Sequence, residues 1–210
     1  MHMLQLLPVV AGLAVALPTE APIQARQTAV PTGVTVASVN YVGAGCPAAN
    51  LTSFSVPNAG TIAIPRSIWK AESGVDNTRV AENRVGCTTT ISVNHPAGWQ
   101  FALVKADYYG RVKVPLGVEA ISRTVYSFSG DSASKASQYY FDGPFDGIYY
   151  RNDRYIDSAR TWSKCGSGAA LIVNSEVRVA PIGNAVANKP ASMEIYNFLG
   201  NQIGLQWKKC

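Results

Sequence analysis

Ala170-Leu171-Ile172-Val173-Asn174-Ser175-Glu176-Val177-Arg178-Val179 is the stretch that decides the fold. Successive side chains of an extended chain point to opposite faces. Leu171, Val173, Val177 and Val179 therefore share one side, and Asn174, Glu176 and Arg178 the other. A strand with one polar face has that face in water, which implies an antiparallel sheet. The same two-residue period extends in both directions. Thr88 to Asn94 is a β-branched run, and Trp99, Phe101 and Leu103 alternate with Gln100, Ala102 and Val104. Arg111 to Val114 and Ala120 to Phe128 follow, divided by Pro115-Leu116-Gly117. Val34 to Val42, Leu51 to Val56 and Thr61 to Ile64 read as strands nearer the start. Met193 to Phe198 and Gln202 to Lys209 make a final pair, with Ile203, Leu205 and Trp207 on one side. Helical periodicity is scarce. About ten short strands punctuated by Gly, Pro or Asn predict an all-β fold, an antiparallel β-sandwich in which the apolar faces pack against one another. Pro65 to Gly86 and Ser127 to Tyr139 lack the pattern and are expected to be loops.

Composition sets outer bounds. The 210 residues are 47% apolar and 15% charged, which excludes a disordered chain or a coiled coil. The net charge of +5 is dispersed; Lys208-Lys209 is the only adjacent basic pair, so no nucleic-acid footprint is expected. Leu4 to Ala16 is apolar but too short to span a bilayer. With the small-x-small site Ala14-Val15-Ala16, it reads as a secretory signal over residues 1–16. Residues 17–33, rich in Pro, Thr, Ala and Gln, read as a flexible arm or propeptide, so the mature chain begins at Leu17 or after trimming near Arg26. Residues 34–210 are then a single β-sandwich domain, secreted and extracellular, with no membrane anchor.

Four cysteines lie beyond the signal: Cys46, Cys87, Cys165 and Cys210. An even number in a secreted chain reads as two disulfides. Three pairings are possible. The expected one is sequential, Cys46 with Cys87 and Cys165 with Cys210, each closing a loop of just over forty residues. No two cysteines lie within four residues, so a zinc site is not expected. No other metal or cofactor is expected either. Asn50-Leu51-Thr52 is the sole N-glycosylation sequon.

His95 is the only histidine after the signal. Copper or zinc enzymes built on two or more imidazoles are thereby excluded, and His95 itself, before Pro96, reads as an edge residue capping a turn. The best concentration of chemistry is the segment from Tyr139 to Trp162. Asp142, Asp146, Asp153 and Asp157 stand there among Tyr139, Tyr140, Phe141, Phe145, Tyr149, Tyr150 and Tyr155. Adjacent tyrosines must point to opposite faces of a strand. An outward row of Tyr140 and Tyr150 beside Asp142, Asp146 and Asp153 is the expected binding groove. Sugar rings stack on aromatic faces, and carboxylates accept hydrogen bonds from hydroxyl groups. The segment's two Asp-Gly dipeptides are first of all turn signals.

Gly43-Ala44-Gly45-Cys46-Pro47, Pro96-Ala97-Gly98-Trp99-Gln100-Phe101 and Tyr108-Tyr109-Gly110 occur in that order. Phe141-Asp142-Gly143-Pro144, Trp162-Ser163-Lys164-Cys165-Gly166 and Leu205-Gln206-Trp207-Lys208-Lys209-Cys210 follow. Together they resemble the fungal secreted proteins catalogued as domain of unknown function 4360, over roughly residues 40 to 210. The resemblance implies a small secreted β-rich protein with two disulfides, and it brings no activity and no catalytic residue. The resulting expectation is a non-catalytic extracellular or cell-wall-associated binding protein that contacts wall polysaccharide or a host surface. The alternatives are a glycan-active hydrolase using carboxylates of residues 142–157, and a purely structural wall protein.

Overall fold

The computed structural model describes residues 30–46, 55–58, 60–64, 68–74, 83–154, 160–183, 190–196 and 201–210. The signal, most of the arm, the Asn50 sequon and Asp157 lie outside them. Eleven strands follow in order: β1 (Thr35–Val42), β2 (Ser55–Asn58), β3 (Thr61–Ile64), β4 (Ile68–Ser73), β5 (Arg84–Val114) and β6 (Val118–Phe128). Then come β7 (Ser134–Asp142), β8 (Phe145–Arg154), β9 (Gly166–Pro181), β10 (Ala191–Tyr196) and β11 (Asn201–Lys209). Every pairing is antiparallel.

In place of two separate sheets, the strands join in one hydrogen-bonded sheet curled into a half-barrel. The reason is β5. The sequence reads as three strands here, yet Arg84 to Val114 is extended throughout. Its first part, up to Asn94, lies between β1 and β9. Its later part, from Trp99, pairs with β11, β8 and β10. The ladder with β9 shifts register between Asn94 and Trp99. There Pro96 has no N–H to give, and Gly98 takes φ +76°. The strand thus turns from one wing of the sheet to the other without ending.

The wings face each other. β9, β6 and β7 form one and β8, with the later part of β5, the other, and Arg151 of β8 donates hydrogen bonds to Ser122 and Thr124 of β6 across the gap. Inward residues of β6 alternate without a break, from Val118 and Ala120 through Ser122 and Thr124 to Tyr126 and Phe128. They divide the interior into two apolar clusters. One gathers Phe101, Phe128, Leu171, Leu205 and Trp207. The other gathers Trp69, Val112, Val177, Met193 and Ile195. His95 belongs to the first: it is buried, edge-on to Phe101 and Trp207, with Nδ1 3.1 Å from the Pro96 carbonyl. It is therefore not the turn-capping edge residue the sequence implies.

Two expected loops also contain strands. Ser134–Asp142 is the edge strand β7, whose inward positions Lys135, Ser137, Tyr139 and Phe141 are too polar to show alternation. Ile68–Ser73 is β4, paired with β10. Of the two Asp-Gly pairs, Asp146-Gly147 lies inside β8, whereas Asp142-Gly143 ends β7. Gly143 passes so close to the β5–β6 connection that a Cβ there would fall 1.9 Å from the Pro115 carbonyl oxygen. This turn carries the chain from one wing to the other, so β7 and β8 are consecutive but do not pair.

The disulfides are Cys46–Cys87 and Cys165–Cys210. The first pins the segment after β1 to the start of β5. The second holds the end of β11 to the entry of β9. Thiol labelling of the unfolded, unreduced protein is expected to find no free thiol. Peptide mapping is expected to recover only these two linkages, and a peptide joining Cys46 to Cys165 would contradict the fold.

Candidate functional site

β7 and β8 lie in different wings, and this splits the expected groove. Tyr140 is 61% exposed on the outer face of β7, opposite Ile121 of β6. Asp142 shares that outer face. Tyr150 is 71% exposed, but on the outer face of β8, opposite Tyr109 of β5. Asp146 stands on the β8 face too, with its Oδ1 2.7 Å from Arg111 Nη2. Asp153 corrects the sequence reading outright: it is 3% exposed and points inward, because its position has the parity of Tyr149 and Arg151. The three carboxylates thus occupy one outer face, the other outer face and the interior, and they converge on no common cleft.

The outer face of β8, β5 and β10 is the stronger candidate site. Tyr150 and Tyr109 lie with ring centroids 4.8 Å apart, and Tyr109 and Tyr196 5.9 Å apart. One tyrosine comes from each of three adjacent strands, so the row crosses two strand spacings, about 10 Å. The strand register creates it: Tyr109 is opposite Tyr150, and Gly110 is opposite both Tyr149 and Ile195. Gly110 is required beneath it, since a Cβ would meet the Glu194 carbonyl oxygen at 2.0 Å and the Tyr149 ring at 2.5 Å.

Polar groups rim the row. Arg111 and Asp146 pair on one side. Asp107 receives Asn152, Lys105 and Arg154 on another. Beside Tyr196, Glu194 accepts its hydroxyl and lies 3.5 Å from Lys70. The hydrogen bond to Glu194 holds the Tyr196 phenol above its ordinary pKa, and that to Glu72 does the same for Lys70. Sequence reasoning singled out Tyr150 and Asp146 but missed Tyr109 and Tyr196, which lie on strands far apart in the chain. The Tyr108-Tyr109 doublet, with one ring necessarily outward, was the available signal.

Between the apolar clusters lies a sealed polar belt. Arg151 is 1% exposed. Its Nε and Nη2 donate to the Asp153 carboxylate at 3.1 and 2.8 Å, and Nη1 and Nη2 donate to Ser122 Oγ and Thr124 Oγ1 at 2.6 Å each. The guanidinium also sits 4.2 Å from the centroid of Tyr108. Burial opposes the Arg151 charge, but Tyr108, Asp153 and Tyr126 outweigh it and hold its pKa above the usual guanidinium value. Asp153 is completed by Tyr126 Oη at 3.1 Å and Ser137 Oγ at 2.6 Å. With Arg151 and Asp153 paired and their side chains unexposed, this belt serves to position the wings.

A family model described as domain of unknown function (DUF4360) matches residues 32–210. An uncharacterized secreted protein of Arthroderma benhamiae is 26% identical over 180 residues, spanning 86% of this chain and 73% of that protein. A solved structure of TmCBM61 in complex with beta-1,4-galactotriose overlaps 84% of this chain and 87% of its own, at 13% identity and a TM-score of 0.27. That overlap is too slight to carry an argument. The two disulfides and the secreted relative agree on an extracellular protein. Among the described residues no helix is long and apolar enough to cross a membrane.

Proposed function

This chain belongs to the family described as domain of unknown function (DUF4360), and since that description carries no activity, we propose one from its surface: a non-catalytic extracellular protein that binds polysaccharide of a cell wall or host surface. The observation that carries the reading is the Tyr150–Tyr109–Tyr196 row on an open sheet face. Aromatic rings present a negative face, on which the C–H side of a pyranose packs. The row is long enough for about two such rings, given the strand spacing. Arg111, Asp146, Asp107 and Glu194 around it supply the donors and acceptors that hydroxyl groups need. Because the face is open and not a cleft, it suits an extended polymer better than a small molecule.

Pull-down on insoluble glucan and on chitin, with a glycan array beside it, tests the reading. Wild-type protein is expected to be retained on at least one of them. Tyr150→Ala is expected to lose retention while its melting curve stays nearly unchanged, since the ring is largely exposed. Tyr140→Ala, on the opposite outer face, is expected to leave both unchanged. The reading fails if wild-type protein is retained by no polysaccharide, or if Tyr150→Ala binds as well as wild type.

A further inference from the structure

Tyr109 and Tyr150 stand directly opposite each other on β5 and β8, a relation that brings Cβ atoms within about 5 Å. Their rings are in contact, with centroids 4.8 Å apart and planes tilted by 43°. Tyr150 is the most exposed of the described tyrosines, so an oxidant in solution reaches it. The rest of the described surface competes poorly for that oxidant. Sulfur is a common target of oxidation, but every cysteine is in a disulfide and Met193 is fully buried. Trp69 and Trp207 are buried too. Trp162 and Trp99 are half-buried, each with an ammonium near its ring: Lys208 Nζ lies 4.0 Å from the one centroid and Lys209 Nζ 5.7 Å from the other. A neighbouring cation opposes removal of an electron from the indole.

We propose that Tyr109 and Tyr150 form a site of oxidative cross-linking, joined as dityrosine by hydrogen peroxide acting through an extracellular haem peroxidase. One electron and the phenolic proton leave each ring. The two radicals couple, and a carbon–carbon bond forms between ring positions next to the hydroxyls. Each of those carbons then gives up its hydrogen and each oxygen regains one, which restores both aromatic rings. In net, the pair loses two electrons and two protons, and one peroxide takes them up to leave two waters. Radicals held in contact couple faster than radicals that must meet by diffusion, which favours the bond within one molecule. Tyr196 is farther from Tyr109, at 5.9 Å between centroids, and its hydroxyl is held by Glu194, so Tyr150 is the partner. The product staples β8, which among the described residues pairs with β5 alone, to its neighbour. This chemistry is independent of polysaccharide binding.

Treatment of dilute protein with hydrogen peroxide and a haem peroxidase tests it. Persulfate with a light-activated ruthenium complex serves as a second, smaller oxidant that reaches rings a peroxidase cannot. With either, blue dityrosine fluorescence is expected in protein that still runs as a monomer on a denaturing gel. Its mass should fall by two hydrogens, and peptide mapping should place the bond between Tyr109 and Tyr150. Tyr150→Phe is expected to lose both the monomer's fluorescence and the linked peptide, with its melting curve unchanged because the ring is largely exposed. Tyr196→Phe and Tyr140→Phe are expected to keep both signals. The proposal is overturned if neither oxidant yields dityrosine within the monomer, or if dityrosine is found only in cross-linked dimers. It is overturned equally if the bond maps to another pair of tyrosines, or if Tyr150→Phe forms it as well as wild type.

Discussion

Arg151→Met is expected to destabilise the protein by about 3–5 kcal/mol, because it leaves the Asp153 carboxylate buried without its cation. The guanidinium spends four hydrogen bonds on Asp153, Ser122 and Thr124. Removing it strips partners from three buried groups at once, and each unsatisfied group adds to the loss. Asp153→Leu is expected to be comparably damaging, since it isolates the guanidinium. The double variant Arg151→Met/Asp153→Leu should cost less than the sum of the two, because the remaining belt of Ser122, Thr124 and Ser175 can pair within itself; Thr124 and Ser175 are already 3.0 Å apart. Urea unfolding of the three variants gives the cycle. A loss below about 1 kcal/mol for Arg151→Met, the range of an exposed ion pair, would show that water reaches the belt.

Trp207→Ala is expected to cost about 3–5 kcal/mol, the range for truncating a fully buried aromatic residue. Trp207 is 1% exposed, with its ring centroid 5.0 Å from Phe101 and 5.3 Å from His95. Its loss opens a void where β11 meets β5, at the strand that Cys210 anchors. Trp99→Ala should cost clearly less, although Trp99 has the inward parity of Phe101. Trp99 is only half-buried at the end of the ladder, beneath the Lys209 ammonium. Thermal melts of both variants separate the two. Equal losses would mean that Trp99 is a full member of the core.

The inward faces of β6, β9 and β11 are legible in the sequence because apolar and polar residues alternate along them. Leu171, Val173, Val177, Val179, Ile203, Leu205 and Trp207 are all buried where alternation puts them. The belt is illegible for the same reason. Ser175 has the parity of Val173 and Val177, and its polarity hides that it faces inward. A gap in an apolar face, matched by Ser122 and Thr124 on the neighbouring strand, is the mark of such a belt, but the match appears only once strands are paired. The candidate site was half legible. Tyr150 and Asp146 stand out in one segment, whereas Tyr109 and Tyr196 join them through register, which a single strand does not encode. The assumption that neighbouring aromatics share one groove failed at Gly143, where the chain changes wing.

The unbroken run of β5 through both wings bears on how the protein unfolds. Each apolar cluster draws residues from this one strand, Ile91 and Phe101 in the first and Val112 and Val114 in the second. A slip of one residue in either part of β5 would turn that part's inner face outward, so both clusters depend on this strand staying in register. Heat and denaturant are therefore expected to give one transition reported alike by every probe, with calorimetric and van't Hoff enthalpies equal. The same strand must find partners as distant in sequence as β1 and β11 before either wing closes, which places its refolding among the slower, non-local topologies.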